Sequence, residues 1–405
     1  MEDGHGAEDR ELLINEVGDD DGQPQPSAES RVAIIGPFSP VLTLSGFDVE
    51  HSLVGKRERL CRALFSTIIF IAFVVGIVWR LITLFSVAAR PFSHDWAVSN
   101  FGGFFAVHAL GSAGAMLGWS RTGSFSKLYT ALTACLPKEH TTPLLIGKRF
   151  LAAGFFSVAY IAIAMAASAN TSVERMKKAR ANGTDDSFFA KDNMFGAEPA
   201  IAFISAFATV LALTIYASMQ GVVSKQIKAM NDDIEAASMR GELGQSLEKL
   251  SDRQIPVLKA AALLVEETKD FASVSAIAAV LANINVLYVV MALSGDVPLF
   301  PYIITILGVQ ASAGLIVATL FPPATLQSEL NRSSYLLLSD KHVSKDAAQR
   351  ALAQLMVRRI DAAPTKIPLL NAFPVGELTP HITFFIAPNA AALLSVVYRA
   401  ITYKD

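Results

Sequence analysis

The side chains that could do chemistry in this sequence are the polar and aromatic ones that interrupt long apolar runs. Arg80, His108, Asn283, Asn285 and Gln310 each lie in a stretch made mostly of Leu, Ile, Val, Ala and Gly. An ionisable or amide group in hydrocarbon is costly, so each marks either a bond between helices or a binding pathway. Arg80 stands toward the end of its run, where a long stem lets the guanidinium reach the headgroups. His108 stands midway among Gly and Ala and serves either a neighbouring helix or a ligand, the former being the commoner use. Asn283 and Asn285 are two residues apart, so on a helix they address different neighbours. Gln310, close to Gly308 and Ser312, suits a cavity wall. Tyr160, Phe203, Phe207 and Tyr302 fall in the middles or outer halves of their runs. Rings there serve core contact, lipid contact or a ligand pocket.

No catalytic pattern accompanies these residues. The sequence lacks GxxxxGK[ST], HExxH, CxxC and GxSxG, and no pair of its seven histidines has metal-ligand spacing. The expectation is therefore a protein that is not an enzyme, with no metal and no cofactor. No basic cluster points to nucleic acid. Cys61 and Cys135 both fall in segments assigned below to the cytosol, so no disulfide is expected.

The elements that must position these groups follow from hydropathy. Hydrophobic residues make up 52% and charged residues 17% of the 405, against about 25% charged in ordinary soluble domains. Seven apolar runs, at about 63–87, 101–119, 150–169, 199–221, 272–294, 300–321 and 378–403, are each long enough to cross a core of roughly 30 Å as helix. Lipid offers backbone groups no partners, so helix is nearly forced and the fold class is all-α and polytopic. Pro380 and Pro388 predict a kinked or two-part last span. The second span repeats small residues four apart (Gly102/Ala106, Gly111/Ala115, Gly114/Gly118), which permits close helix approach.

Cationic residues set the orientation. The segments 56–62, 120–149, 222–271 and 322–377 hold 23 Lys and Arg, and the connections on the other side hold 7. The rich side is expected to be cytosolic, which predicts a cytosolic amino terminus and an extracellular carboxyl terminus. Residues 1–55 read as an acidic disordered tail and a mixed pre-membrane segment, with no cleavable leader expected. Residues 56–405 read as the seven-helix domain, with helical cytosolic extensions at 222–271 and 322–377. In the first extension Leu243, Leu247, Leu250, Val257 and Leu258 recur at near-helical spacing. In the second, residues 340–360 read as an amphipathic helix. This orientation puts the sequons at Asn170 and Asn182 outside, Asn182 being the better placed acceptor, and keeps the one at Asn331 silent in the cytosol. In the tail, Glu8 four residues before Leu12-Leu13 has the form of an adaptor-read signal for endosomes or lysosomes.

One family shares this layout. Seven spans with the amino terminus inside, bulky helical segments after spans four and six, and short outer connections except between spans three and four resemble the insect gustatory and odorant receptor superfamily. The run Thr383-Phe384-Phe385, then Ala391-Ala392-Leu393-Leu394-Ser395-Val396-Val397 and Thr402-Tyr403, is similar to that family's last helix, and Leu352 to Pro374 to the link before it. The resemblance implies a plasma-membrane chemoreceptor that is a ligand-gated cation channel, a homo- or hetero-tetramer in the lipid bilayer. It implies a pore face of Leu394, Val397 and Ile401, and a small-molecule site drawn from His108, Tyr160, Phe203, Phe207, Tyr302 and Gln310. Two other classes stay open at this level. The dileucine and the intramembrane polar groups fit a transporter or an organellar multi-pass protein. A G-protein-coupled receptor requires the reverse orientation.

Overall fold

A computed structural model describes residues 32–46, 56–86, 94–133, 148–181, 197–292, 299–369 and 372–402, apart from 33, 37, 342 and 344. Its elements are α1 (Phe38–Leu44), α2 (Lys56–Ser86), α3 (His94–Thr122), α4 (Ser124–Thr133), α5 (Lys148–Ala181), α6 (Ala197–Met239), α7 (Leu243–Ala292), α8 (Leu299–Ser339), α9 (Ala347–Ala362) and α10 (Thr379–Thr402). Seven of them, α2, α3, α5, α6, α7, α8 and α10, are long and apolar enough to cross a membrane. They correspond one for one to the seven runs read from sequence. Among the described residues the one departure from all-α is an antiparallel pair of two-residue strands, β1 (Pro368–Leu369) and β2 (Phe373–Pro374), in the link to α10. The tail carrying Glu8, Leu12 and Leu13, and the residues Asn182, Cys135 and Tyr403, lie outside the described residues.

Helix length separates a membrane band from an extension. At about 1.5 Å per residue, α6, α7 and α8 run roughly 60–75 Å, twice the depth of a hydrocarbon core. All three continue past the band at the same end, here called the extension end. There they build a second core with α9: Met230, Ile234 and Ala237 from α6, Leu243, Leu247 and Leu250 from α7, Leu337 from α8, and Ala353 and Met356 from α9. The leucine spacing noted in the sequence is the buried stripe of α7. Buried polar groups tie the unit together. The Asn231 amide donates to the Glu329 backbone oxygen (2.8 Å) and carboxylate (3.0 Å), Gln254 donates to the Met356 oxygen (3.0 Å) and Gln327 to that of Thr365 (2.7 Å).

In the band, α7 is the central helix, in contact with α3, α6, α8 and α10. Close approach of α3 depends on Gly111, where a Cβ would lie 2.8 Å from Val274 Cγ1, whereas Gly114 and Gly118 face open space. The pre-membrane segment joins the same core through Ile34, Ile35 and Leu42. At the extension end of α3, Gly123 (φ +67°) turns the chain into α4. Glu267 of α7 fixes that turn, accepting from Ser124 (2.5 Å) and Lys127 (3.1 Å), while Trp119 donates to the Glu267 backbone oxygen (2.7 Å).

The sequence admits a kinked or a two-part last span; α10 is a single helix from Thr379 to Thr402, which excludes the two-part form. Pro380 sits in its first turn, where the missing N–H has no helical partner to lose. Pro388 does leave an orphan carbonyl within the helix. In α8 the same problem arises at Pro322 and Pro323. Pro323 cannot donate to the carbonyl of Thr319, four residues back. The buried Tyr216 of α6 supplies the missing bond: its hydroxyl donates to that oxygen at 3.1 Å. Tyr216→Phe keeps the ring, which rests edge-on against Phe271 with centroids 5.4 Å apart, and removes only the donor. The variant is expected to lose about 1–3 kcal/mol, read as a lower melting temperature in detergent. Thr209→Val, which removes a hydroxyl that makes no hydrogen bond, is the control and should not lower it.

Candidate ligand cavity and exposed last helix

Near the end of the band opposite the extension, five helices leave a cavity between them. Its lining comes from α2 (Arg80), α3 (Phe101, Gly102, Phe105), α5 (Tyr160 to Thr171), α6 (Glu198 to Thr209) and α8 (Ala311). Antiparallel runs put the polar groups in register. Gly76 of α2 faces Ile201 of α6, so one turn onward Arg80 comes level with Glu198 in the first turn of α6. The Ser172 hydroxyl of α5 donates to the buried Glu198 carboxylate. Deeper in, aromatic rings form one wall: Phe101 and Phe105 with centroids 4.5 Å apart, and Phe105 stacked on Tyr160 at 5.5 Å. Alanines from α5, α6 and α8 form the other. At the deep end the Tyr160 and Thr209 hydroxyls approach each other without hydrogen-bond geometry, and Thr209 Oγ1 is buried with no partner.

Of the six ligand candidates read from sequence, Tyr160 lines this cavity. His108 is fully buried below it, with Nε2 against the Ser275 hydroxyl of α7, which is 3.3 Å from Thr319 Oγ1 of α8. Phe203 and Phe207 stack on each other at 6.4 Å, with Phe203 44% exposed on the outside of α6. Tyr302 is half-buried away from the cavity, and Gln310 is exposed although its neighbour Ala311 lines it. The expected pocket set is thus dispersed. A one-residue step on a helix turns a side chain by about 100°, and the sequence does not say which face turns inward. Arg80, read as reaching for headgroups, lines the cavity, as does Glu198, which sequence reasoning passed over at the edge of its span. The available signal was an ionisable pair at matching depth on two spans. The asparagines behave as their spacing requires: Asn283 donates to Ser312 of α8 (2.9 Å), while Asn285 turns back to the Leu281 carbonyl (2.9 Å). Asn170 lies inside α5 rather than in a loop, and is half-buried.

α10 lies against α7 and α8, and its buried residues form one stripe, Pro380, Ala387, Ala391 and Ser395, spaced by turns of helix. The opposite face is bare: Phe385 is 72%, Leu393 65% and Val396 63% exposed. Of the three pore candidates, Leu394 is half-buried against Ala97, Tyr288 and Val289, and Val397 is 38% exposed at the margin of the bare face. Ile401 falls in the last turn of α10, beyond the described side chains.

Residues 34–391 match the family described as "Caenorhabditis protein of unknown function, DUF267". The chain belongs to this family. No curated protein matches the sequence. Solved structures share its fold, among them two of one receptor. The insect olfactory receptor OR5 from Machilis hrabei in complex with eugenol is 13% identical, with a TM-score of 0.63 over 91% of this chain and 97% of that one. A second structure of the same receptor is 10% identical, with a TM-score of 0.62 over 88% and 95%. This DUF267 chain is therefore a multi-pass membrane protein with a divergent insect-chemoreceptor-like fold.

The geometry at His108 reads as a tie between helices. A double-mutant cycle of His108→Ala and Ser275→Ala, followed by thermal unfolding in detergent, should give a coupling of about 0.6–1.7 kcal/mol, the range for interhelical bonds in membranes. A coupling near zero would leave the imidazole without that role.

Proposed function

We propose that this protein is a subunit of a ligand-gated cation channel of the chemoreceptor type, opened by a small molecule bound in the five-helix cavity. The observation that carries the reading is the insect olfactory receptor fold over nine-tenths of the chain, combined with a cavity near one end of the band and an apolar helix bare on one side. The receptor of the first match holds eugenol, which supports a small organic molecule as the ligand here.

The rest of the reading follows from charge and apolar surface. The excess of Lys and Arg supports an extension end in the cytosol, with the amino terminus inside, the carboxyl terminus outside, residues 1–55 as a cytosolic tail, and segments 222–271 and 322–377 as cytosolic extensions. The cavity then opens toward the outside of the plasma membrane. Four copies, identical or mixed, would bring their α10 helices around one axis, with Val397 at the narrow point and Leu394 and Ile401 on the same flank. An apolar ring of this kind blocks ions by dewetting. A ligand opens it only in so far as it binds the open arrangement more tightly than the closed one. On this reading Asn182 carries any glycan, and the dileucine at Leu12-Leu13, with Glu8, governs retrieval to endosomes.

Two measurements test this. Particle images of the purified protein should show four-fold symmetry, and a monomer or dimer counts against the assembly. In cells at constant surface level, Val397→Ser should hydrate the constriction and raise the resting cation current severalfold over wild type. A Val397→Ser current no larger than that of untransfected cells would remove α10 from the pore.

A further inference from the structure

We infer that Asn389 supplies the ring of oxygens that a permeating cation touches at mid-depth in the channel; this rests on the reading of α10 as the pore helix. Asn389 lies near the middle of the apolar stretch of α10, Thr379–Val397, and is exposed. At about 100° per residue it falls within about 40° of Ile382, Phe385, Leu393 and Val396 and opposite Ala387 and Ala391. It is thus the polar centre of the bare face. Its level is fixed from both ends. At the extension end the His381 ring meets Phe321 of α8 with centroids 6.0 Å apart, and at the other end Leu394 meets Ala97 of α3 and Tyr288 of α7. An amide facing acyl chains at this depth is costly, so water or protein is the better cover.

The orientation of the amide decides between the two. Its Nδ2 lies 2.7 Å from the Phe385 carbonyl oxygen of the same helix. Two oxygens that close would repel, so the nitrogen is the inward atom and Oδ1 is the end left to the exterior. Pro388, the preceding residue, adds a second acceptor by depriving the Phe384 carbonyl of its helical donor. A face that offers acceptors is poorly matched by a copy of itself, because four such faces about one axis set oxygen against oxygen. A cation with its water removes that repulsion, and rings of protein oxygens are how channels replace part of an ion's hydration. Asn389 stands about two turns from Val397 toward the extension end, so the polar ring and the apolar constriction occupy different levels. Each copy supplies neutral oxygen, and α10 carries no Asp or Glu. Calcium and magnesium sites draw on carboxylates, so the ring favours monovalent cations.

Thiol labelling tests the hydration without any current. In a background of Cys61→Ser and Cys135→Ser, single-cysteine variants of the full-length protein in lipid nanodiscs meet a charged methanethiosulfonate. Its target is the thiolate, which forms in water and not in hydrocarbon. Val75, 62% exposed in the span of α2, is the lipid-facing control. Asn389→Cys should react at least about tenfold faster than Val75→Cys. A rate no greater than that of Val75→Cys overturns the inference, whether lipid or a dry helix contact covers the face. Currents then test the ion contact. Added to Val397→Ser, Asn389→Asp should raise calcium permeability relative to sodium severalfold, and an unchanged ratio overturns the inference too. A conducting Val397→Ser with an unlabelled Asn389→Cys sinks this reading alone. No current from Val397→Ser at full surface level sinks the channel reading, and the cation contact with it.

Discussion

The constraint on which the rest depends is that hydrocarbon offers the backbone no hydrogen-bond partner. It forces seven helices, and it turns each interruption of a helix into a problem that a neighbour must solve. The proline pair in α8 shows how. Pro323 strands the Thr319 carbonyl in the middle of the bundle, and Tyr216 reaches across from α6 to meet it. The Thr319 hydroxyl in turn contacts Ser275, and Ser275 contacts His108. The missing N–H is answered by Tyr216 alone, and the Thr319 side chain extends the contact into a polar seam through α3, α7 and α8.

That accounts for what could and could not be read in advance. The spans were legible because helix is imposed by solvent, whatever the side chains, and the extension was legible because Leu243, Leu247 and Leu250 keep one face apolar in a charged segment. α10 stays one helix through Pro388 where the sequence also admits a two-part span. Proline costs a helix one hydrogen bond and a ring clash, and in hydrocarbon the chain has no solvated conformation to leave the helix for. The cavity was the least legible part. It is a gap defined by the rotation of five helices about their axes, and the apolar pattern that fixes rotation in a soluble bundle is blurred where lipid and core are equally apolar. Ala311 and Gln310 are adjacent, yet the apolar one faces the cavity and the polar one the exterior. Matching depth in the sequence hints at Arg80 and Glu198 as neighbours, and the packing of Gly76 against Ile201 brings them level.

The same blurring explains how a chain 13% identical to an insect olfactory receptor keeps its course over 97% of that receptor's length. Side chains in the band are exchangeable so long as they remain apolar and sized to their neighbours. Requirements of type attach to few positions: small residues where helices touch, as at Gly111, and polar groups that must be satisfied, as at Tyr216 and Asn283.

Exposed apolar surface means different things at the two ends. On α10 the apolar side chains of the bare face cost nothing in a monomer, since acyl chains are as apolar as Leu393 or Val396. They therefore give no thermodynamic reason to assemble, whatever their role in a pore. The extension lies beyond the band. There Met239 is 79%, Tyr335 71% and Leu338 56% exposed, in a region that meets water. At about 25 cal/mol per Å² of apolar area, covering such side chains against neighbouring copies releases free energy that the band cannot supply. In the proposed tetramer the drive to associate would then reside in the extension and the conduction path in α10. α7 and α8 run through both the band and the extension and so join the two.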